Sequence, residues 1–263
     1  MNPMSQSPAA LSLRFWGAPG DAPGGYDLGR SSKLRPLASF SCALAHGKSD
    51  YPCGEPPVFL RDALSLPAEL QSAIVALDQG SVEYADELLA RGAQQVLLAA
   101  SASTDSDAVA RLVQRYGSGR IGIWAAVRRM PVVWTLDGDS NADFKCMSTS
   151  IGTPCWETLQ GGDTGTGTEV EVWLQPLLAA GASMALIALD VEADDDLALC
   201  AHYTERYGER VWFTPRLYPD ADLQPWIRYG QVRQLVLPAA ARQAHEKIER
   251  LFAAAGAPQE VMA

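Results

Sequence analysis

Histidine is scarce in this chain, with three in 263 residues, and no two of them lie close together. The five cysteines, Cys42, Cys53, Cys146, Cys155 and Cys200, are widely spread and contain no CxxC pair. Zinc sites usually draw two ligands from one tight turn, so neither residue type points to a metal centre, and the odd cysteine count suggests free thiols. Positive charge is also in short supply, with 21 Lys and Arg against 31 Asp and Glu for a formal net charge of −10. Nucleic-acid binders need a basic face to release counterions, and this balance argues against such a partner. No apolar stretch approaches the roughly 18 residues that cross a bilayer. The opening MNPMSQSPAALSLRF lacks the basic region and apolar core of a secretory signal. The expectation is a cytoplasmic protein without a membrane partner, metal or cofactor.

What is present is a long run of alternating elements. The first 56 residues are rich in Gly, Pro and Ser and read as a partly irregular arm. From residue 57 onward PPVFL, AIVAL, QVLLAA, RIGIWAA, MALIALD, RVWFTP and RQLVLP are apolar without alternation. Parallel strands covered on both faces have that composition. Between them lie amphipathic stretches such as SVEYADELLARG, STDSDAVARLVQRYG, TEVEVWLQPLLAAG and ADDDLALCAHYTERYG, with Ser81, Asp105, Thr168 and Asp194 as expected N-caps. Alternation of this kind implies a parallel sheet with right-handed crossovers.

An internal repeat strengthens the assignment. ELLARGAQQVLLAAS followed by LVQRYGSGRIGIW recurs as PLLAAGASMALIALD followed by HYTERYGERVWF, matching Gly92 to Gly181 and Gly117 to Gly208. Seven strands are counted above, and an eighth lies upstream in either LSLRFWG or LASFSCALA. The expected fold is a single α/β domain over residues 1–263, a (β/α)8 TIM barrel with an irregular N-terminal segment and a long loop after strand five. An open doubly wound sheet is the alternative. The loop, from about Arg128 to Thr168, carries Met130, Trp134, Phe144, Met147 and Trp156, too many large apolar groups for a solvated connection. It is expected either to close the barrel mouth or to present Trp134, Phe144 and Trp156 to a protein partner or a second copy.

The order of several phrases resembles one family. SVEYADELLARGAQQVLLAASAS followed by RYGSGRIGIWAAVRR, then CWETLQGGDTGTGTEVEVW and MALIALD, is similar to the cyclase subunit of imidazole glycerol phosphate synthase and more distantly to proFAR isomerase. The resemblance covers about two thirds of the chain by eye. In these barrels two aspartates at the C-terminal mouth, on strands one and five, do the acid–base work. By the resemblance the fifth-strand acid falls on Ala126, and the first-strand acid on Ala43 if SCALAHGK is the first strand. The family's triple glycine after strand three corresponds to Ala76, Leu77 and Asp78. Its glycine pair after strand seven falls on Pro215 and Arg216, and its alanine–serine pair after strand eight on Pro238 and Ala239. Side chains and a missing proline amide replace the backbone donors that would cradle a phosphate.

The resemblance therefore implies a degenerate barrel, a pseudoenzyme acting as a non-catalytic subunit, scaffold or regulator in an enzyme assembly. The alternative is a lyase, isomerase or transferase with a rebuilt mouth acting on a small anionic or sugar-phosphate-like substrate. Asp190, which matches the family's strand-six acid, and Asp78 are the candidate catalytic carboxylates; Arg216 and Ser101 are the candidate ligand-binding groups. Asp194, Asp195 and Asp196 suit the start of a helix better than a cation site. Gly161, Gly162, Gly165 and Gly167 read as a flexible loop without the Lys–Ser or Lys–Thr of a phosphate loop. Cys42 with His46 lacks any supporting oxyanion site, and His202 and His245 read as surface or boundary histidines.

Overall fold

The structure, a computed structural model, describes residues 12–17, 58–61, 66, 70–77, 80–99, 105, 107–130, 134–136, 147–149, 153–160, 164–216, 222–239, 241 and 246–250. Eight strands form the barrel: β1 (Ser12–Phe15), β2 (Val58–Arg61), β3 (Ala73–Leu77), β4 (Gln95–Leu98), β5 (Ile121–Arg129), β10 (Met184–Leu189), β11 (Val211–Pro215) and β12 (Gln234–Leu237). All of their pairings with one another are parallel. The order β1-β12-β11-β10-β5-β4-β3-β2 is brought round by a parallel bridge from Trp16 to Phe59, with the Gly17 N–H on the Phe59 carbonyl at 2.8 Å. The expected (β/α)8 barrel is the observed architecture.

Of the two candidates for the first strand, SLRF from LSLRFWG takes the place between β12 and β2. That reassigns a residue the sequence treated as part of an irregular arm. It also withdraws the assignment of a first-strand acid to Ala43, which required SCALAHGK as strand one; Ala43 itself lies outside the described residues.

The continuous apolar runs follow from burial on two sides. β3, β4, β10, β11 and β12 are buried at every position. Alternate residues enter different cores. Val75, Val96, Ile123, Ile187, Phe213 and Leu235 belong to the outer core beneath the helices. Trp16, Phe59, Ile74, Leu97, Trp124, Leu186, Trp212 and Val236 belong to the inner one. The outer layer includes α1 (Val82–Ala90), α2 (Ala108–Tyr116), α3 (Val170–Ala179), α4 (Asp194–Tyr207) and α5 (Leu223–Arg228). No described helix is long and apolar enough to cross a membrane.

Helix starts differ in detail from the sequence expectation. Ser81 caps α1 by accepting the Tyr84 N–H at 3.2 Å. α2 starts later than expected, with Asp107 in the cap position and Asp105 accepting the Asp107 N–H at 3.1 Å. Thr168 is a strand residue and Glu169 precedes α3, while Ala193 precedes α4. At α4 the capping function has moved inward, because the Asp196 side chain accepts the N–H groups of Glu192 and Ala193.

The repeat is structural as well as textual. Gly92 and Gly181 both turn the chain with positive φ, +98° and +108°, and Gly117 and Gly208 do the same at the next boundary. Arg120 donates from Nη2 to the Leu89 and Ala93 carbonyls, and Arg210 from Nη2 to those of Leu178 and Ala182. A third, shorter copy precedes β12. There Gln231 takes the left-handed turn at φ 50° and Val232 N–H returns to the Trp226 carbonyl. A side chain with a Cβ is strained in this region, whereas glycine is not. Gln231 is exposed, so Gln231→Gly is expected to stabilise the barrel by roughly 0.5–1 kcal/mol. Urea unfolding that leaves the variant no more stable than the parent would refute this.

Candidate functional site

Active sites of this architecture lie at the C-terminal ends of the strands, so the residues that face inward there define the candidate site. Three tryptophans occupy the inner core. Trp16 and Trp124 are 0% and 1% exposed, their rings meeting edge to face at 5.8 Å, and Trp16 meets Phe59 in the same way at 5.7 Å. Trp16 Nε1 donates to Thr214 Oγ1 at 3.1 Å, tying the indole to β11, two strands away round the barrel. Arg61, 3% exposed, lies with Cζ 5.5 Å above the Trp124 ring. Arg14 stands similarly over Trp212, at 4.7 Å. Among the described residues within the eight strands, the inner face thus carries three cations, Arg14, Arg61 and, near the end of β5, Arg128, and no carboxylate.

Ala126 packs against this inner cluster from the C-terminal part of β5. Its methyl group occupies the position that the family resemblance gives to an acid. Asp190 and Arg216, both half-buried, are the first residues beyond β10 and β11. The Arg216 N–H extends the parallel pairing by donating to the Leu189 carbonyl at 3.0 Å. The structure therefore places these two candidates on neighbouring strand ends at the mouth. Asp78 and Ser101 lie outside the described residues, as do Phe144, Cys42, His46, His245, Gly161 and Gly162.

The proposed counterparts of the phosphate cradles are structural. Ala76 and Leu77 are not in a loop: both are fully buried in β3 and pair with Leu97 and Leu98. Pro215 ends β11, and Pro238 is buried just beyond β12.

The rim beside strand five departs most from expectation. The chain does not leave the barrel as a loop at Arg128; β5 continues as a strand through Arg129 and pairs antiparallel with β8 (Trp156–Gln160). β8 in turn pairs with β9 (Thr164–Glu169). Among its described residues, the expected loop from Arg128 to Thr168 is mostly β-structure, and its base is closed by the Met130 N–H on the Cys155 carbonyl at 2.9 Å. Within it β6 (Trp134–Leu136) and β7 (Met147–Thr149) form a separate antiparallel pair, Trp134 opposite Thr149. The described base packs against α3 and α4.

Two anchors hold that base. Side chains alternate along a strand, which places Arg128 on the same side of β5 as Trp124 and Ala126. Its Nε donates to Glu157 Oε1 at 2.8 Å, and Glu157 Oε2 accepts the Gly167 N–H at 2.8 Å. A Cβ on Gly165 would come within 2.3 Å of the Glu157 carboxylate, and Gly167 has φ +70°. Gly165 and Gly167 therefore accommodate a buried carboxylate, correcting their reading as members of a flexible loop. Gly165→Ala is expected to destabilise the protein by about 1–3 kcal/mol through this overpacking. An unchanged thermal transition would argue against the clamp.

The second anchor is Trp156. It is 1% exposed, stacks on Tyr203 at 5.2 Å and donates from Nε1 to Asp196 Oδ1 at 3.1 Å. An indole so enclosed offers no face to a partner, which corrects the expectation that Trp156 is a docking residue. Asp195 pairs with Arg129 at 3.3 Å, so the acidic cluster serves the helix start and the rim. His202 is at the surface, 3.2 Å from Glu171.

Neither described thiol environment suits a nucleophile. Burial, reinforced by the Asp196 charge, pushes the Cys200 thiol far above its ordinary value, and burial raises Cys155 as well. Iodoacetamide labelling of the native protein at pH 8 is expected to spare Cys200 until denaturant is added. Rapid native labelling there would overturn this.

Sequence reasoning missed Trp16, Arg61, Thr214 and Glu157. Arg61 was hidden at the end of an apolar run, Trp16 in a segment without periodicity, and Glu157 in a phrase noted only for its likeness to a family motif. No protein-family model matches the chain, and no curated protein matches it.

Proposed function

We propose that this protein is a non-catalytic, cytoplasmic barrel, a degenerate relative of the histidine-biosynthesis cyclase and isomerase, that serves as a subunit, scaffold or regulator of an enzyme assembly. The observation that carries this reading is the lack of an opposed carboxylate pair at the described strand ends. Trp16, Trp124 and Trp212 occupy the space beneath the mouth, Ala126 offers no proton-transfer group, and the described strands present no inward carboxylate. Ligand sites are concave and combine apolar walls with a few convergent polar groups. The packed bore is the ordinary interior of a closed barrel, and the described strand ends above it offer Asp190 as their one acid.

Under this reading the excursion between Met130 and Cys155, carrying Trp134 and Phe144, is the part that meets a protein partner or a second copy. The test joins Met130 to Cys155 by a short turn, deleting 131–153, and compares thermal stability, solution mass and co-purifying proteins with the full chain. The reading expects a folded barrel that has lost an association the full chain makes. It fails if the full chain is monomeric and partner-free, or if the shortened chain keeps every association.

The rival reading, an enzyme with a rebuilt mouth, draws on Asp190 and Arg216 leaving neighbouring strand ends. A bis-phosphorylated ribose analogue separates the two. Ligand binding to the native state raises stability by mass action, about 2.7 kcal/mol at a hundredfold excess over Kd. The scaffold reading expects no shift in melting temperature at millimolar analogue. A dose-dependent rise abolished by Arg216→Ala would favour the enzyme.

A further inference from the structure

We draw no further inference here: the strongest candidate, the β6–β7 ribbon between Met130 and Cys155, which pairs Trp134 with Thr149 and Leu136 with Met147, carries nothing because the ribbon pairs only with itself among the described residues and nothing in the structure shows what covers it.

Discussion

Trp16→Ala is expected to lower stability by about 3–5 kcal/mol, the usual cost of removing a large aromatic side chain from a well-packed interior. The ring is fully buried, touches Phe59 and Trp124 edge to face, and is tied by its indole N–H to Thr214. Its loss leaves a cavity that the strands cannot close, because the backbone beside it is hydrogen-bonded to Leu237 on one side and Phe59 on the other. Trp16→Phe should cost less, since it keeps most of the contacts and forfeits chiefly the hydrogen bond, worth roughly 0.5–1.5 kcal/mol. Added indole should restore part of the alanine variant's stability in proportion to its concentration, as apolar cavities bind matching apolar ligands. Urea unfolding measures all three. An alanine variant within 1 kcal/mol of the parent, a loss about as small as that expected for the hydrogen bond alone, would mean that the bore is not packed around Trp16.

Trp156→Ala is expected to be comparably severe, about 3–5 kcal/mol, but for a different reason. Trp156 lies outside the bore, pinning β8 to α4 through Tyr203 and the buried Asp196. Asp196 keeps its two backbone donors in the variant, so the main loss is packing rather than an unpaired charge. Trp156→Phe separates the two contributions, and a cost of about 1.5–3 kcal/mol is expected for the hydrogen bond to a carboxylate. Hydrogen exchange should show loosening that begins at β8, β9 and the first turn of α4. Protection lost first in β1 and β12 instead would show that Trp156 supports the barrel seam and not the rim.

The barrel itself was legible because burial on both faces leaves a simple trace. AIVAL, MALIAL and VWFTP admit few polar residues, and helices of regular length separate them. The left-handed glycines at 92, 117, 181 and 208 made the repeat visible, since the backbone there favours a residue without a Cβ. β1 was less distinct, being four residues long and half-buried, with Arg14 facing inward over Trp212. The rim was harder still. TGTGTE in β9 is mostly exposed, and its Gly165 makes room for Glu157 rather than for a ligand. That distinction depends on a residue that is eight positions away in sequence and across a strand pair. At the mouth, Ala126, Asp190 and Arg216 were found where the strand ends were expected, whereas the aromatic filling beneath them was not anticipated. Inward and outward positions look alike in an uninterrupted apolar run.

The seam has a consequence for how the molecule is made. Ser12–Phe15 pair with Gln234–Leu237, so a strand near the start of the chain waits for one that leaves the ribosome more than two hundred residues later. Until then the nascent sheet presents open edges along β2 and β11, each a template for pairing with a neighbouring chain. Closure is therefore a late event of high sequence separation, and the entropy of joining distant segments falls on that step. A ribosome stalled before Gln234 should hold a protease-sensitive, aggregation-prone barrel with its first strand unpaired. Release of the last strand should convert it to a resistant form in one step.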